Sequence, residues 1–120
     1  MAINSTGITT TFNQSQANGQ VAVGKVVFDS TSITAGDYIQ VTCGFKPKYV
    51  KFQNATDRIA VEFFEGMTDD TCIKTAAAGT VTIETTNKGL TPTTAGFQVS
   101  QNATLAVIAA SKTCYFVAYA

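Results

Sequence analysis

Apolar residues in this chain recur at every second position, in short runs separated by turn-forming residues. Val50 and Phe52 alternate with Tyr49, Lys51 and Gln53, and Ile59, Val61 and Phe63 alternate with Arg58, Ala60 and Glu62. A period of two puts successive side chains on opposite faces of a β-strand. The two runs flank Asn54-Ala55-Thr56-Asp57, where Asn and Asp favour a tight reversal, so residues 49–65 read as a β-hairpin. Phe52, Val61 and Phe63 are its expected core residues.

The same pattern predicts strands at 21–28, 38–43, 81–85, 97–99 and 114–119, and one that ends at Ala76-Ala77-Ala78-Gly79. Gly24, inside the first of these, marks an expected kink, because a glycine within a strand often accompanies a bulge. Asn87-Lys88-Gly89-Leu90-Thr91-Pro92 reads as a turn cluster, since proline cannot donate to a central ladder. Residues 104–110 are apolar on both faces, and periodicity alone leaves them between a buried strand and a helical turn. Residues 114–119 are also apolar on both faces, as in a central strand or one half-buried against another subunit. No window of ten residues or more shows a period of 3.6. About eight strands at spacings of roughly 8–12 residues indicate an all-β fold, an antiparallel β-sandwich of jelly-roll-like kind.

Residues 1–20 follow no such pattern. They are Asn, Ser, Thr, Gln and Gly, with Ile3, Ile8 and Phe12 as the large apolar positions. They read as a polar N-terminal arm or a loosely paired edge strand that a partner would order. Residues 21–120 read as one sandwich domain, and Ile3, Ile8 and Phe12 as candidate interface residues.

Composition narrows the chemistry. The chain has no His and no Trp, 13% of its residues are charged, and 20 of its 120 residues are Thr. General acid–base catalysis near neutral pH usually recruits His, and metal sites usually recruit His or Cys pairs. No catalytic residue, metal site or cofactor is expected. Cys43, Cys72 and Cys114 are odd in number and widely spaced, so they read as reduced, buried thiols. Glu65, Asp69 and Asp70 match no cation-loop spacing. Glu62 and Glu65 lie three apart on a strand and point to opposite faces, so they cannot act as a carboxylate pair on one bond.

Net charge is zero, whereas a nucleic-acid binder carries a basic excess. No apolar run approaches the ~20 residues that span a bilayer, and the first residues lack a signal-peptide pattern, so synthesis and retention in the cytosol are expected. The basic residues concentrate at Lys46, Lys48, Lys51 and Arg58. Lys46 and Lys48 are candidate contacts to an acidic protein surface. Tyr115 and Tyr119, with Tyr38, Tyr49 and Phe116, suit core or subunit interface better than a glycan platform, which normally leans on Trp.

Several segments carry a resemblance. Gly44-Phe45-Lys46-Pro47 leads through residues 48–53 into Asn54-Ala55-Thr56-Asp57-Arg58; Glu62-Phe63-Phe64-Glu65-Gly66-Met67 follows, then Ile73-Lys74-Thr75-Ala76-Ala77-Ala78-Gly79-Thr80 and Gly96-Phe97-Gln98-Val99. In this order, over about residues 36–119, the chain resembles small virion proteins of tailed bacteriophages that decorate, or cement, the capsid. The resemblance implies a jelly-roll-like fold and binding to the major capsid protein on the outside of the head. It further implies assembly in the host cytoplasm, and the protein would act as a dimer or trimer that bridges capsomers. A receptor- or glycan-binding module of a virion spike or tail is the alternative of a different class.

Overall fold

The computed structural model describes residues 8–10 and 20–120. The strands are β1 (Ile8–Thr10), β2 (Val21–Phe28), β3 (Tyr38–Thr42), β4 (Tyr49–Asn54), β5 (Ile59–Phe64), β6 (Cys72–Thr75), β7 (Val81–Glu84), β8 (Leu90–Thr93), β9 (Gly96–Ser100) and β10 (Thr113–Tyr119). Seven form one sheet in the order β1-β2-β10-β4-β5-β6-β7, and three form a second in the order β3-β9-β8. Every pairing is antiparallel. The chain is an all-β sandwich, as its period of two predicts. Early strands pair with late ones, β2 with β10 and β3 with β9, while β4 to β7 run as a meander within the large sheet.

Alternation places the core between the sheets. The large sheet contributes Ala22, Val26, Phe28, Val50, Phe52, Val61, Phe63, Cys72, Cys114, Phe116 and Ala118 to it, and the small sheet Ile39, Val41, Leu90, Phe97 and Val99. Phe97 stands edge-on to two rings of the opposite sheet, 6.5 Å from Phe52 and 5.4 Å from Phe116 between centroids. Such tilted pairs align positive ring edges with negative ring faces and add to the area buried.

The β4–β5 hairpin forms where expected, with Asn54 opposite Ile59. Asn54 is fully buried. Its Oδ1 accepts the Asp57 N–H at 3.0 Å, and its Nδ2 donates to Asp57 Oδ2 at 3.0 Å and to the Ala106 carbonyl at 3.3 Å. One side chain thus closes the hairpin and anchors the β9–β10 connection.

Three expectations are corrected. Gly24 makes no bulge, because the β2–β10 register is one-to-one from Val21 to Val27. It stands opposite Phe116 on the inner face, where a missing side chain relieves crowding beside a ring. Residues 90–93 are strand β8, not turn; Pro92 is tolerated because β8 lies at the edge of the small sheet, bridged on its outer side by Thr71 at Leu90. Residues 104–110 are neither strand nor helix. Ala106 (φ 62°) and Ser111 (φ 62°) break both geometries, and the segment is a loop that buries Leu105, Val107 and Ile108. Lys74, on the inward parity of β6, donates to the Thr104 carbonyl at 2.7 Å and holds this loop over the large sheet. In the first twenty residues, Ile8–Thr10 pairs with β2 as an edge strand, and Ile3 and Phe12 lie outside the described residues.

These contacts predict a hierarchy of truncations. Phe97→Ala removes the ring shared by both sheets and should lower unfolding free energy by about 3–5 kcal/mol. Asn54→Ala strands a buried carbonyl and an N–H and should lower it by about 1–3 kcal/mol. Phe64→Ala, on the outer face, should stay within about 1 kcal/mol. Urea unfolding of the three variants checks the order, and a loss at Phe64 as large as that at Phe97 would show the faces reversed.

Candidate functional site

The outer face of the large sheet is the site that the strand registers build. One row across it reads Val21, Tyr119, Tyr49, Phe64. The next reads Val23, Val117, Lys51, Glu62, Ile73, Ile83, and the third Lys25, Tyr115, Gln53, Ala60, Thr75, Val81. The six exposed large apolar residues among those described are Val23, Phe64, Val81, Ile83, Tyr115 and Tyr119. All six stand in these rows. Each is roughly half exposed or more, and large apolar side chains gathered on one exposed face mark contact sites.

The face is rigid where it is aromatic. Tyr49 lies between Phe64, at 5.0 Å between ring centroids, and Tyr119, at 5.8 Å. Its hydroxyl donates to Glu62 Oε2 at 2.6 Å. Burial, with the hydrogen bond and negative charge of Glu62, pushes the Tyr49 hydroxyl above the ordinary tyrosine range, so it stays a neutral donor. Lys51 stands directly opposite Glu62. The rows therefore carry Lys25, Lys51 and Glu62 as their charges. A depression of about 170 Å³ lies between Lys51, Gln53, Tyr115 and Val117.

The residues singled out by sequence are only partly brought together. Tyr115 and Tyr119 share the face, four residues apart on β10. Phe116 points into the core instead, and Tyr38 lies on β3 of the other sheet. Lys48 is exposed and borders the face, because its N–H donates to the Tyr119 carbonyl at 2.7 Å. Lys46 is exposed around the end of the sandwich, on a cleft with Phe63, Glu65 and Pro92. Ile8 pairs with Phe28, at the opposite end of β2 from Tyr119. Val23, Phe64, Val81 and Ile83 were not singled out. Phe64 carries a legible signal: in Phe63-Phe64 only one ring can face inward.

The remaining chemistry-bearing groups serve the fold. Asp70 accepts the Asn87 N–H and the Ser100 hydroxyl, and so ties the β7–β8 turn to β9. Among the described residues no three of Cys, Asp or Glu cluster as a metal could require. The three cysteines are buried and in no disulfide. Cys72 Sγ donates to the Lys88 carbonyl and Cys114 Sγ to the Val107 carbonyl, each at 3.4 Å. A cleft of about 340 Å³ between the β2–β3 and β9–β10 loops has alanines as half of its lining residues.

Burial, and for Cys72 the Glu84 charge, pushes the Cys72 and Cys114 thiols up to about 12. A thiol whose folded pKa is raised contributes its full stability below the unfolded value and loses it as pH climbs toward the folded one. Unfolding free energy should therefore fall from about pH 9 upward, by about 1.4 kcal/mol per pH unit for each thiol. Unfolding titrations between pH 8 and 11 check this, and Cys114→Ala should reduce the slope. No family model matches the chain, and no curated protein or solved structure matches it.

Proposed function

We propose that this protein decorates the capsid of a tailed bacteriophage, lying on the outer surface of the head and bridging subunits of the major capsid protein. The observation that carries the reading is the apolar outer face of the large sheet. A cement protein works by adhesion: it needs a rigid scaffold, a surface that gains from being covered, and many copies. The sandwich supplies the first and the three rows around Tyr49 the second. Many weak contacts on one shell add through multivalency.

The sequence resemblance supports the same reading. Residues 44–58 carry the β3–β4 loop, β4 and the β4–β5 turn, 62–67 the end of β5, and 73–80 most of β6 with its turn. Those segments supply the middle of the sheet whose outer face is apolar. Zero net charge adds no long-range repulsion between crowded copies. Strand β1 (Ile8–Thr10) forms the far edge of that sheet, which supports a contact between the arm and a neighbour.

Co-sedimentation with undecorated heads tests the proposal. The wild-type chain should bind and raise the temperature at which the heads break open. Phe64→Lys combined with Tyr119→Lys should fold normally and bind roughly ten-fold or more weakly, since two apolar contacts become desolvated charges. Absence of wild-type binding, or binding that the double substitution leaves intact, would refute the assignment to this face.

A further inference from the structure

Strand β7 (Val81–Glu84) ends the large sheet, and no further strand lies beyond it among the described residues. The Ala76 N–H donates to the Thr80 carbonyl at 2.9 Å, which marks residues 76 and 80 as a hydrogen-bonded pair of the β6–β7 ladder. Bonded and non-bonded pairs alternate in an antiparallel ladder. Thr82, opposite Lys74, and Glu84, opposite Cys72, therefore turn their backbone groups toward β6. Val81 and Ile83 turn theirs outward. These two are also the most exposed large apolar residues described, at 61% and 70%. Exposed edges are usually blunted by Pro, Lys or a bulge. The small sheet follows that rule with Pro92 in β8. Val81-Thr82-Ile83-Glu84 does not.

We propose that β7 pairs antiparallel with β7 of a second copy of this chain, joining two large sheets edge to edge. The strand is complementary to itself. With a two-fold axis at Thr82, Val81 of each copy stands opposite Ile83 of the other, Thr82 opposite Thr82, and Glu84 opposite Thr80. Val81 and Ile83 then exchange about four backbone hydrogen bonds. Apolar β-branched residues meet on the outer face and threonines on the inner, both favourable cross-strand pairs. No like charges meet. The Glu84 carboxylate is already engaged by its own chain, accepting from the Thr82 hydroxyl at 2.9 Å and lying 3.9 Å from Lys88 Nζ. An axis at Glu84 would instead set two carboxylates face to face.

The axis is perpendicular to the sheet, so both outer faces end up on the same side. The dimer thereby doubles the docking face and grips one surface at two points. A four-residue edge buries well below the ~800 Å² per partner of a stable dimer, so the pairing is a reversible equilibrium in solution and tightens where copies are concentrated. The inference stands whatever the outer face binds.

Sedimentation equilibrium of the full chain over a concentration series tests it, with circular dichroism confirming that each variant folds. The wild type should show a concentration-dependent dimer. Ile83→Lys should raise its dissociation constant roughly ten-fold or more, while Tyr115→Ser, on the outer face away from the edge, should leave it within about two-fold. Thr82→Cys should give a covalent dimer on mild oxidation, because residues in a non-bonded antiparallel pair lie ~4.5 Å apart at Cα, within disulfide reach. Ser30→Cys, exposed elsewhere, should stay monomeric under the same treatment. A wild type that remains monomeric at every concentration overturns the proposal. So does a dimer that Ile83→Lys leaves intact and Tyr115→Ser disrupts, which would place two outer faces against each other.

Discussion

A sheet of seven strands is packed against a sheet of three, and the shape of this molecule follows from that mismatch. Alternation gives the large sheet two faces, and the small sheet can cover only part of one. The inner face is completed by a loop. Residues 101–112 carry no strand, yet they bury Leu105, Val107 and Ile108 against the large sheet. Asn54 and Lys74 hold them there by their carbonyls. The outer face has no such cover among the described residues, and its apolar rows remain exposed.

The residues that hold the core and those on the outer face are thereby separate sets. The core depends on Phe97 entering between Phe52 and Phe116 from the opposite sheet, on the even-numbered residues of β2, β4 and β10, and on the Asn54 bonds. None of these lies on the outer face. The outer rows are carried by the odd-numbered residues of β2, β4 and β10 and by the outward side of β5 to β7. β10 shows the division within one strand: Cys114, Phe116 and Ala118 are buried, while Tyr115 and Tyr119 are exposed on the other side.

Much of this was legible in the sequence, for a physical reason. The β4–β5 hairpin declares itself because strict alternation flanks an Asn-to-Asp turn, and its core residues Phe52, Val61 and Phe63 are buried as the pattern requires. Two-sided apolarity left β10 either central or half-buried against another subunit, and it is central, between β2 and β4. Alternation tells which residues share a face, but not which face another element will cover. Val81 and Ile83 look like core residues in a pattern and are the most exposed of their kind in the structure. Ala106 and Ser111 adopt positive φ without being Gly or Asn, and besides the local turn at Asn102 the loop at 101–112 is held by Asn54 and Lys74, far away in sequence. Pro92 argued against a strand because its tolerance depends on β8 being an edge, which is a property of the whole sheet.

The outer face is also where the molecule departs from what a solitary soluble domain needs. Exposed aromatics add little to a fold whose core is already closed, and zero net charge does not keep copies apart. Two devices nevertheless keep the surface orderly. Tyr49 is clamped between Phe64 and Tyr119 and bonded to Glu62, so the aromatic row presents one fixed shape. Lys51 and Glu62 stand opposite each other in register, and Glu62 accepts the Tyr49 hydroxyl. A preorganised apolar surface loses little side-chain entropy when it is covered, and that gain is retained in every copy. On the proposed capsid role, such a face repeated many times across a shell would give strong attachment without demanding a tight single contact.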